Sequence, residues 1–231
     1  MSQPNQNEGI LYVVATPIGN LEDITLRALR ILKEVDLIAA EDTRRTRKLL
    51  TAYDLHTPLI SYYAHNERHR GAYLIEQLQE GKNIALVSDA GTPGIADPGY
   101  YLLKLAWEAG IKVVPIPGAS VITALLSVSG LPSERFRFEN FLPPKTGQRR
   151  KRLEQLKSED YTLVVFESPY RIIACLEDMA EILGEREIVI GREVTKQFEE
   201  FLRGTPSELL SMMKGKNPKG EFALIIRAED D

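Results

Sequence analysis

The stretch Ser88-Asp89-Ala90-Gly91-Thr92-Pro93-Gly94-Ile95-Ala96-Asp97-Pro98-Gly99 follows an apolar run at residues 83–87 and precedes an amphipathic segment at residues 100–109. The run predicts a short buried strand and the segment predicts a helix, so the stretch is a loop from a strand to a helix. Its glycines and prolines permit backbone turns that bring main-chain groups close to a neighbouring molecule. Because ligands of open α/β sheets bind beyond the carboxyl ends of the strands, this loop is a candidate ligand site.

Turn formation alone is an alternative interpretation of the same loop. Asp97 before Pro98 also fits a helix N-cap followed by proline at the first helical position. The small residues Ala90, Gly94 and Ala96 favour the ligand site, because an exposed turn has no need to exclude side chains so consistently.

Apolar runs alternate with amphipathic segments along the rest of the chain. Continuous runs, typical of buried parallel strands, occur at residues 10–15, 37–40, 59–62, 84–87 and 112–116. The sequence therefore predicts an α/β fold with a mainly parallel sheet in an N-terminal domain, residues 1–117. Residues 136–141 alternate instead, which predicts a second α/β domain, residues 118–231, with a mixed sheet. Its other strands are predicted at residues 161–166, 187–192, 199–203 and 221–227.

The composition is that of an ordinary soluble globular protein, with 43% hydrophobic and 27% charged residues in a chain of 231. No apolar run reaches the ~18 residues of a membrane span, and residues 1–8 lack a signal-peptide pattern, so we expect a cytoplasmic protein with no membrane contact. The single cysteine, Cys175, is expected to be a buried thiol. His65 and His69 have zinc-ligand spacing without a third ligand, and we expect no metal site. The sequence contains no P-loop and no Gly-x-Ser-x-Gly elbow.

The net charge of −4 is unevenly distributed. Residues 135–157 hold eight basic and two acidic residues, which indicates a localised contact with a polyanion. Arg149-Arg150-Lys151-Arg152 opens a predicted helix, where cations oppose the helix dipole. A compensating anion is therefore expected, and RNA phosphates would supply it. A second, smaller basic patch consists of Arg44, Arg45, Arg47 and Lys48.

Six motifs follow one another along the chain. They are Ala15-Thr16-Pro17-Ile18-Gly19-Asn20-Leu21, Ala40-Glu41-Asp42-Thr43-Arg44, Val87-Ser88-Asp89-Ala90-Gly91-Thr92-Pro93, Asp97-Pro98-Gly99-Tyr100, Pro117-Gly118-Ala119-Ser120 and Glu139-Asn140-Phe141-Leu142-Pro143. Together, over residues 10–227, they resemble the bacterial family of small-subunit ribosomal RNA 2′-O-methyltransferases I, within the tetrapyrrole methylase superfamily. The resemblance implies two α/β domains with S-adenosylmethionine bound between them, usually in a homodimer. It also implies methylation of the ribose 2′-hydroxyl of a cytidine in the decoding region of 16S ribosomal RNA, as naked RNA or in the 30S subunit.

The implied cofactor site consists largely of backbone, because S-adenosylmethionine carries its own reactive sulfonium. The implied cofactor-binding residues are Pro17, Gly19, Asp89, Gly91, Ile95, Ala96, Ser120, Phe166, Glu167, Phe222 and Ala223. Core packing is the alternative interpretation for Phe166, Phe222 and Ala223.

A base, or a cation that stabilises the alkoxide, would assist the transfer because a ribose hydroxyl is a weak acid. The candidate catalytic residues are Glu41, Asp42 and Lys145. A helix cap is an equally good interpretation of Asp42, and an exposed lysine is the alternative for Lys145. The candidate RNA-binding residues are Arg44, Arg45, Arg149, Arg150, Lys151 and Arg152.

Two other functions fit the same fold. A methylase of a tetrapyrrole precursor would not need the run of arginines at residues 149–152, and an RNA-binding relative without catalysis would not bind the cofactor. Many members of the resembling family continue into a small helical C-terminal extension. If that extension helps to hold RNA, a chain ending at residue 231 is expected to bind the ribosomal substrate less well.

Overall fold

The computed structural model describes residues 8–229, which divide into two compact units between Ser120 and Val121. The sequence predicts this boundary between residues 117 and 118. Among the described residues, no helix combines the length and apolarity that crossing a membrane requires.

The N-terminal unit is built on a parallel five-stranded sheet within the described residues. Its strands are β1 (Ile10–Val14), β2 (Leu37–Ala40), β3 (Leu59–Ser61), β4 (Ile84–Val87) and β5 (Lys112–Ile116). Its helices are α1 (Leu26–Glu34), α2 (Thr43–Ala52), α3 (Glu67–Gln79) and α4 (Tyr100–Glu108), with a short 3₁₀ helix at Leu21–Asp23. The strand order is β3-β2-β4-β1-β5, and every pairing is parallel, as the continuous apolar runs predict.

Helices cover both faces of this sheet. Apolar residues of α1 and α2 pack with Val14, Ile38 and Val87 on one face, while those of α3 and α4 pack with Leu11 and Leu86 on the other. The connections after β1 and β2 run toward β3, and those after β3 and β4 run toward β5, so right-handed crossovers place them on opposite faces. After the neighbouring strands β1 and β4, the chain therefore continues to helices on opposite faces of the sheet. This strand pair is the topological switch point, where ligands of such sheets bind.

The C-terminal unit has the mixed sheet that the sequence predicts. Its strands are β6 (Phe136–Phe141), β7 (Thr162–Glu167), β8 (Ile188–Arg192), β9 (Glu200–Gly204) and β10 (Phe222–Ile226). Its helices are α5 (Val121–Ser129), α6 (Thr146–Leu156), α7 (Ile172–Leu183) and α8 (Pro206–Met213). The order is β6-β7-β10-β8-β9, where β6 and β7 are parallel and the other pairs antiparallel.

Apolar side chains of α6, α7 and α8 pack on one face of the second sheet, and those of α5 pack on the other. Cys175 lies in the first of these clusters with no exposed surface, as expected of a buried thiol.

The start of α4 excludes the alternative interpretation of Asp97 as an N-cap. The helix cap is Gly99, at φ 148°, and not Asp97. A Cβ at position 99 would lie 3.1 Å from the backbone nitrogen of Gly94, so the folded-back loop itself requires glycine there. Asp97 therefore does not cap α4 and lies in the loop before the helix.

Candidate functional site

The loops after β1 and β4 are joined at the switch point. Thr16 and Gly91 exchange two backbone hydrogen bonds, with N···O distances of 2.9 and 3.0 Å, and the Thr16 hydroxyl donates to the Ser88 carbonyl at 3.2 Å. The loop after β5 also approaches, because a Cβ on Gly91 would lie 3.8 Å from the carbonyl oxygen of Ala119. Three of the six motifs thus meet at the carboxyl edge of the parallel sheet.

Acidic side chains gather at the same edge. The backbone N–H of Asp89 donates to Glu41 Oε2 at 3.2 Å, and the N–H of Asp42 donates to Asp89 Oδ1 at 3.0 Å. Arg45 Nη1 lies 3.4 Å from Asp89 Oδ2. These reciprocal contacts fix the ends of β2 and β4 to each other and orient the Asp89 carboxylate.

Two carboxyl groups at this edge have raised pKa values. Partial burial raises the pKa of Glu41, and the neighbouring charge of Asp89 adds to the shift. Partial burial raises the pKa of Asp97 to about 6, with the negative charges of Glu41 and Asp89 contributing. Because burial and mutual repulsion both disfavour ionisation, a cation bound here would be stabilised by the acids it neutralises. The edge is therefore suited electrostatically to a positively charged ligand.

A pocket of about 120 Å³ lies beside Asp89. It is lined by Thr16, Pro17, Leu21, Arg45, Thr46, Lys48, Leu49, Ser88 and Asp89. Small-molecule sites usually measure ~300–1,000 Å³, so this pocket has room for only a part of a cofactor-sized ligand.

The other predicted loop residues differ in exposure. Ile95 is half exposed, Ala96 is exposed at φ 67°, Gly19 is exposed and Ser120 is half-buried. Their accessibility leaves the loop surface open to a ligand.

Asp42 is the N-cap of α2, accepting a hydrogen bond from the Arg44 backbone N–H at 2.8 Å. The Arg44 guanidinium also binds this carboxylate through two nitrogens, at 3.0 and 2.7 Å. These bonds lower the pKa of Asp42 well below its ordinary value. Asp42 therefore caps α2. A strongly acidic carboxyl is a weak proton acceptor, and the catalytic role of Asp42 stays a prediction. Glu41, with its raised pKa, is the better-suited group.

In the C-terminal unit, Glu167 ends β7 with its side chain fully buried. Its Oε1 accepts hydrogen bonds from the Ser168 backbone N–H at 2.7 Å and from Arg171 Nε at 2.6 Å, while Oε2 has no partner among residues 8–229. Phe166 packs edge-on against Phe138 and Phe141. Glu167 therefore lies at the carboxyl end of β7, and its Oε2 accepts no hydrogen bond from residues 8–229.

Phe222 and Ala223 are 3% and 4% exposed and belong to the core clusters of the C-terminal unit. Core packing therefore accounts for both side chains, and any contact with a cofactor would involve their backbone. Lys145 is exposed at the start of α6 and forms no ion pair within residues 8–229. Its side chain is free to reach a bound anion.

The arginines of α6 correct a prediction. Arg149, only 2% exposed, donates from Nε to Asp178 at 2.7 Å. Arg150 pairs with Asp178 and Glu181, at 2.6 and 2.5 Å. The anions that compensate these cations at the start of α6 are therefore carboxylates of α7, and buried Arg149 is not available to RNA phosphates.

Arg152 is also neutralised, since its Nη2 lies 2.7 Å from Oε2 of Glu139, a largely buried carboxylate of β6. Lys151 alone of the four is exposed with no ion-pair partner among the described residues. The prediction of an RNA-binding basic segment on α6 thus retains support only for Lys151.

From the sequence, Asp97 is not among the candidate site residues and a helix cap is only an alternative interpretation of it, whereas in the structure the charges of Glu41 and Asp89 contribute to its raised pKa. Its signal was present, since it is a second aspartate in a loop otherwise poor in side chains. Asp178 and Glu181 had no such signal, because their partners lie about thirty residues away in the chain.

The fold and these site features can be compared with known proteins. Residues 10–210 match the family model of Tetrapyrrole (Corrin/Porphyrin) Methylases. The chain is 52% identical over 229 residues to the ribosomal RNA small subunit methyltransferase I of Halalkalibacterium halodurans, covering 99% of this chain and 79% of that protein. It is 48% identical to the protein of the same name from Thermotoga maritima, covering 96% of this chain and 100% of that one.

Among solved structures, the uroporphyrin-III C-methyltransferase of Thermus thermophilus in complex with S-adenyl homocysteine superposes with a TM-score of 0.65 at 18% identity, covering 94% of this chain and 97% of that one. This likeness confirms the α/β fold. The family model and the sequence identities confirm the resemblance carried by the six motifs. The chain therefore belongs to the ribosomal RNA small subunit methyltransferase I family of tetrapyrrole methylases.

Proposed function

We propose that this protein transfers a methyl group from S-adenosylmethionine to the 2′-hydroxyl of a ribose in small-subunit ribosomal RNA, at a cytidine of the decoding region. The observation that carries the proposal is the 52% identity, over 99% of this chain, with a relative named ribosomal RNA small subunit methyltransferase I. The acidic residues around Asp89 also support the proposal, because they suit a positively charged cofactor.

The donor set of this edge fits the proposed cofactor. S-adenosylmethionine supplies a methyl group already activated on a positively charged sulfonium. Asp89, Glu41 and Asp97 present carboxylates whose mutual repulsion a cationic ligand would relieve. Ala90 and Ala96, in the loop after β4, are exposed and carry only small side chains, which allows close approach of the ligand. The protein's main contribution is therefore to orient the two reactants.

Proton removal from the ribose hydroxyl is assigned to Glu41. Partial burial raises its pKa above the ordinary value, and a higher pKa makes a carboxylate a stronger proton acceptor. Lys145, an exposed cation with no carboxylate partner in residues 8–229, is the group that would stabilise the developing alkoxide. Asp42 contributes as the cap that holds the start of α2 beside Asp89.

The substrate is proposed to be small-subunit ribosomal RNA, either naked or in the 30S subunit, and the protein is proposed to act on it as a homodimer. Because ribosomal subunits are cytoplasmic, the proposal places the protein in the cytoplasm.

Methyl transfer from labelled S-adenosylmethionine to purified small ribosomal subunits tests the proposal. The transferred label is expected in 2′-O-methylcytidine after digestion of the RNA to nucleosides. Asp89→Asn should lower kcat/KM about 10- to 100-fold, the equivalent of the ~1.5–3 kcal/mol of a hydrogen bond to a charged group. Asp54→Asn is the matched control, because that carboxylate is 95% exposed and contacts only His56 among the described residues.

Transfer of label to no ribosomal RNA would contradict the proposal. Calorimetric titration with S-adenosylmethionine separates the remaining cases. Cofactor binding without RNA methylation would indicate another methyl acceptor, and RNA binding without cofactor binding would indicate a non-catalytic RNA-binding protein.

A further inference from the structure

Basic residues are densest in the sequence at residues 149–152 of α6, but this helix does not present the most positive surface. On α6, Arg149, Arg150 and Arg152 are each paired with carboxylates of their own unit. A guanidinium already paired with a carboxylate attracts a phosphate less, because the new contact must replace the existing one. The exposed face of α6 therefore carries less net positive charge than the sequence of this helix suggests.

Helix α2 has the opposite character. Arg47 and Lys48 are exposed, and neither forms an ion pair with any residue from 8 to 229. Arg44 lies one turn before them and is 88% exposed, although Asp42 neutralises part of its charge. The spacing of three and four residues puts these side chains on one face of the helix. A surface groove runs along this face, lined among the described residues by Thr43, Arg44, Arg47, Lys48, Thr51 and Ala52.

This basic face adjoins the acidic site. Lys48 lines both the groove and the pocket that contains Asp89. Arg45, from the same helix, also lines that pocket and lies 3.4 Å from Asp89. A polyanion lying along α2 would thus pass directly beside the loops that meet at the switch point.

We propose that the exposed face of α2, formed by Arg44, Arg47 and Lys48, is the surface that binds the phosphate backbone of the RNA substrate. This inference rests on the proposed function, because it assumes that the neighbouring pocket receives a ribose of the same strand. Arg44 and Arg47 offer planar guanidinium groups that suit phosphate oxygens, and Lys48 offers a point charge at the pocket itself.

The experiment measures the salt dependence of RNA binding. A fluorescent single-stranded oligonucleotide of small-subunit ribosomal RNA sequence is titrated with protein between 50 and 200 mM KCl, and anisotropy gives Kd. Each lost phosphate contact lowers the slope of log Kd against log salt by ~0.7, so Arg47→Gln with Lys48→Gln should lower it by about 1.4. Over this salt range the wild-type protein should therefore lose about sevenfold more affinity than the double variant.

The matched control is Lys214→Gln with Lys216→Gln, which removes two exposed cations that form no ion pair within the described residues of the C-terminal unit. The control is expected to keep the wild-type slope. In methyl transfer to small subunits, the α2 variant should raise KM with kcat little changed, because phosphate contacts bind substrate and transition state equally.

An unchanged slope in the α2 variant, or an equal fall in the control, would overturn the inference. It would also be overturned if Lys151→Gln lowered the slope while the α2 variant did not, since α6 would then carry the contact. Failure of the proposed function has a different signature. In that case the wild-type protein transfers no methyl group to RNA, whereas the slope still reports whether α2 binds phosphates.

Discussion

Replacing Asp178 by Asn should destabilise the C-terminal unit strongly and leave the salt dependence of RNA binding unchanged. Asp178 is the shared partner of Arg149 and Arg150, at 2.5 and 2.6 Å. The side chains of Arg149 and Asp178 are both only 3% exposed. Asparagine keeps the shape of the side chain and removes the charge, so a buried guanidinium loses its counter-charge.

The expected cost follows from the geometry of this pair. Removing one partner of a buried ion pair costs about 3–5 kcal/mol, because the remaining charge is left uncompensated away from water. Hydrogen bonds from Arg149 to the carbonyl oxygens of Pro144 and Ala174, at 3.3 and 3.4 Å, remain and favour the lower end of that range. For a chain of this size, 1 kcal/mol corresponds to ~2–4 °C in Tm, so Tm should fall by about 6–12 °C at the lower end.

Urea unfolding followed by far-ultraviolet circular dichroism measures the free energy of unfolding of each variant. Lys151→Gln is the control on the same helix, and as an exposed substitution it should change stability by no more than about 0.5 kcal/mol. The double variant Arg149→Met with Asp178→Asn should cost less than the sum of the single variants, because the two side chains act as one pair.

A loss below about 1 kcal/mol in Asp178→Asn would refute the assignment of Arg149 to a structural ion pair. A fall in the salt slope of RNA binding for Arg149→Met, with stability unchanged, would restore Arg149 to the RNA-binding surface instead.

Three further predictions concern the loops and the core. Burial raises the pKa of Asp97 from 3.8 to about 6, so its ionisation destabilises the folded state. Wild-type Tm should therefore fall as pH rises from about 4 to 6, and Asp97→Asn should show a smaller fall, because the raised pKa of Glu41 contributes to the fall in both proteins. Equal Tm differences between the two proteins at pH 4 and pH 8 would contradict the assignment. Gly99→Ala should lower the free energy of unfolding in urea by about 3 kcal/mol. The control Gly110→Ala, also at positive φ but with no atom within 4 Å of its Cβ, should lower it by about 1 kcal/mol. Similar losses for the two variants would show that crowding at Gly99 is unimportant. Burial raises the pKa of the Cys175 thiol to about 12, so a thiol reagent at pH 8 should modify it only after denaturation, and rapid labelling of the native protein would be inconsistent with this burial.

The order of strands along the chain and the family motifs can be predicted from the sequence. Continuous apolar runs identify the parallel strands, as at Ile10–Val14 and Ile84–Val87, because a strand covered on both faces has no polar side. The sheet of the C-terminal unit is mixed, as predicted, but the alternation at Phe136–Phe141 is not reflected in β6 itself, whose burial does not alternate and whose pairing with β7 is parallel. The six ordered motifs identify the family, which the 52% identity with a named relative confirms. These features can be predicted because they depend on residues close together in the sequence, and periodicity and motif spacing describe such residues directly.

Other features were decided only by the tertiary structure. Glu41 follows β2, whereas Asp89 and Asp97 both lie in the loop after β4, and only the parallel pairing of β2 with β4 sets Glu41 beside Asp89. The arginine run on α6 predicted an RNA surface because its partners on α7, Asp178 and Glu181, are invisible to local patterns. Whether a charge is buried, paired or free depends on which helix packs beside it. Helix packing is determined by the whole core, so charge density along a sequence does not by itself locate a charged surface.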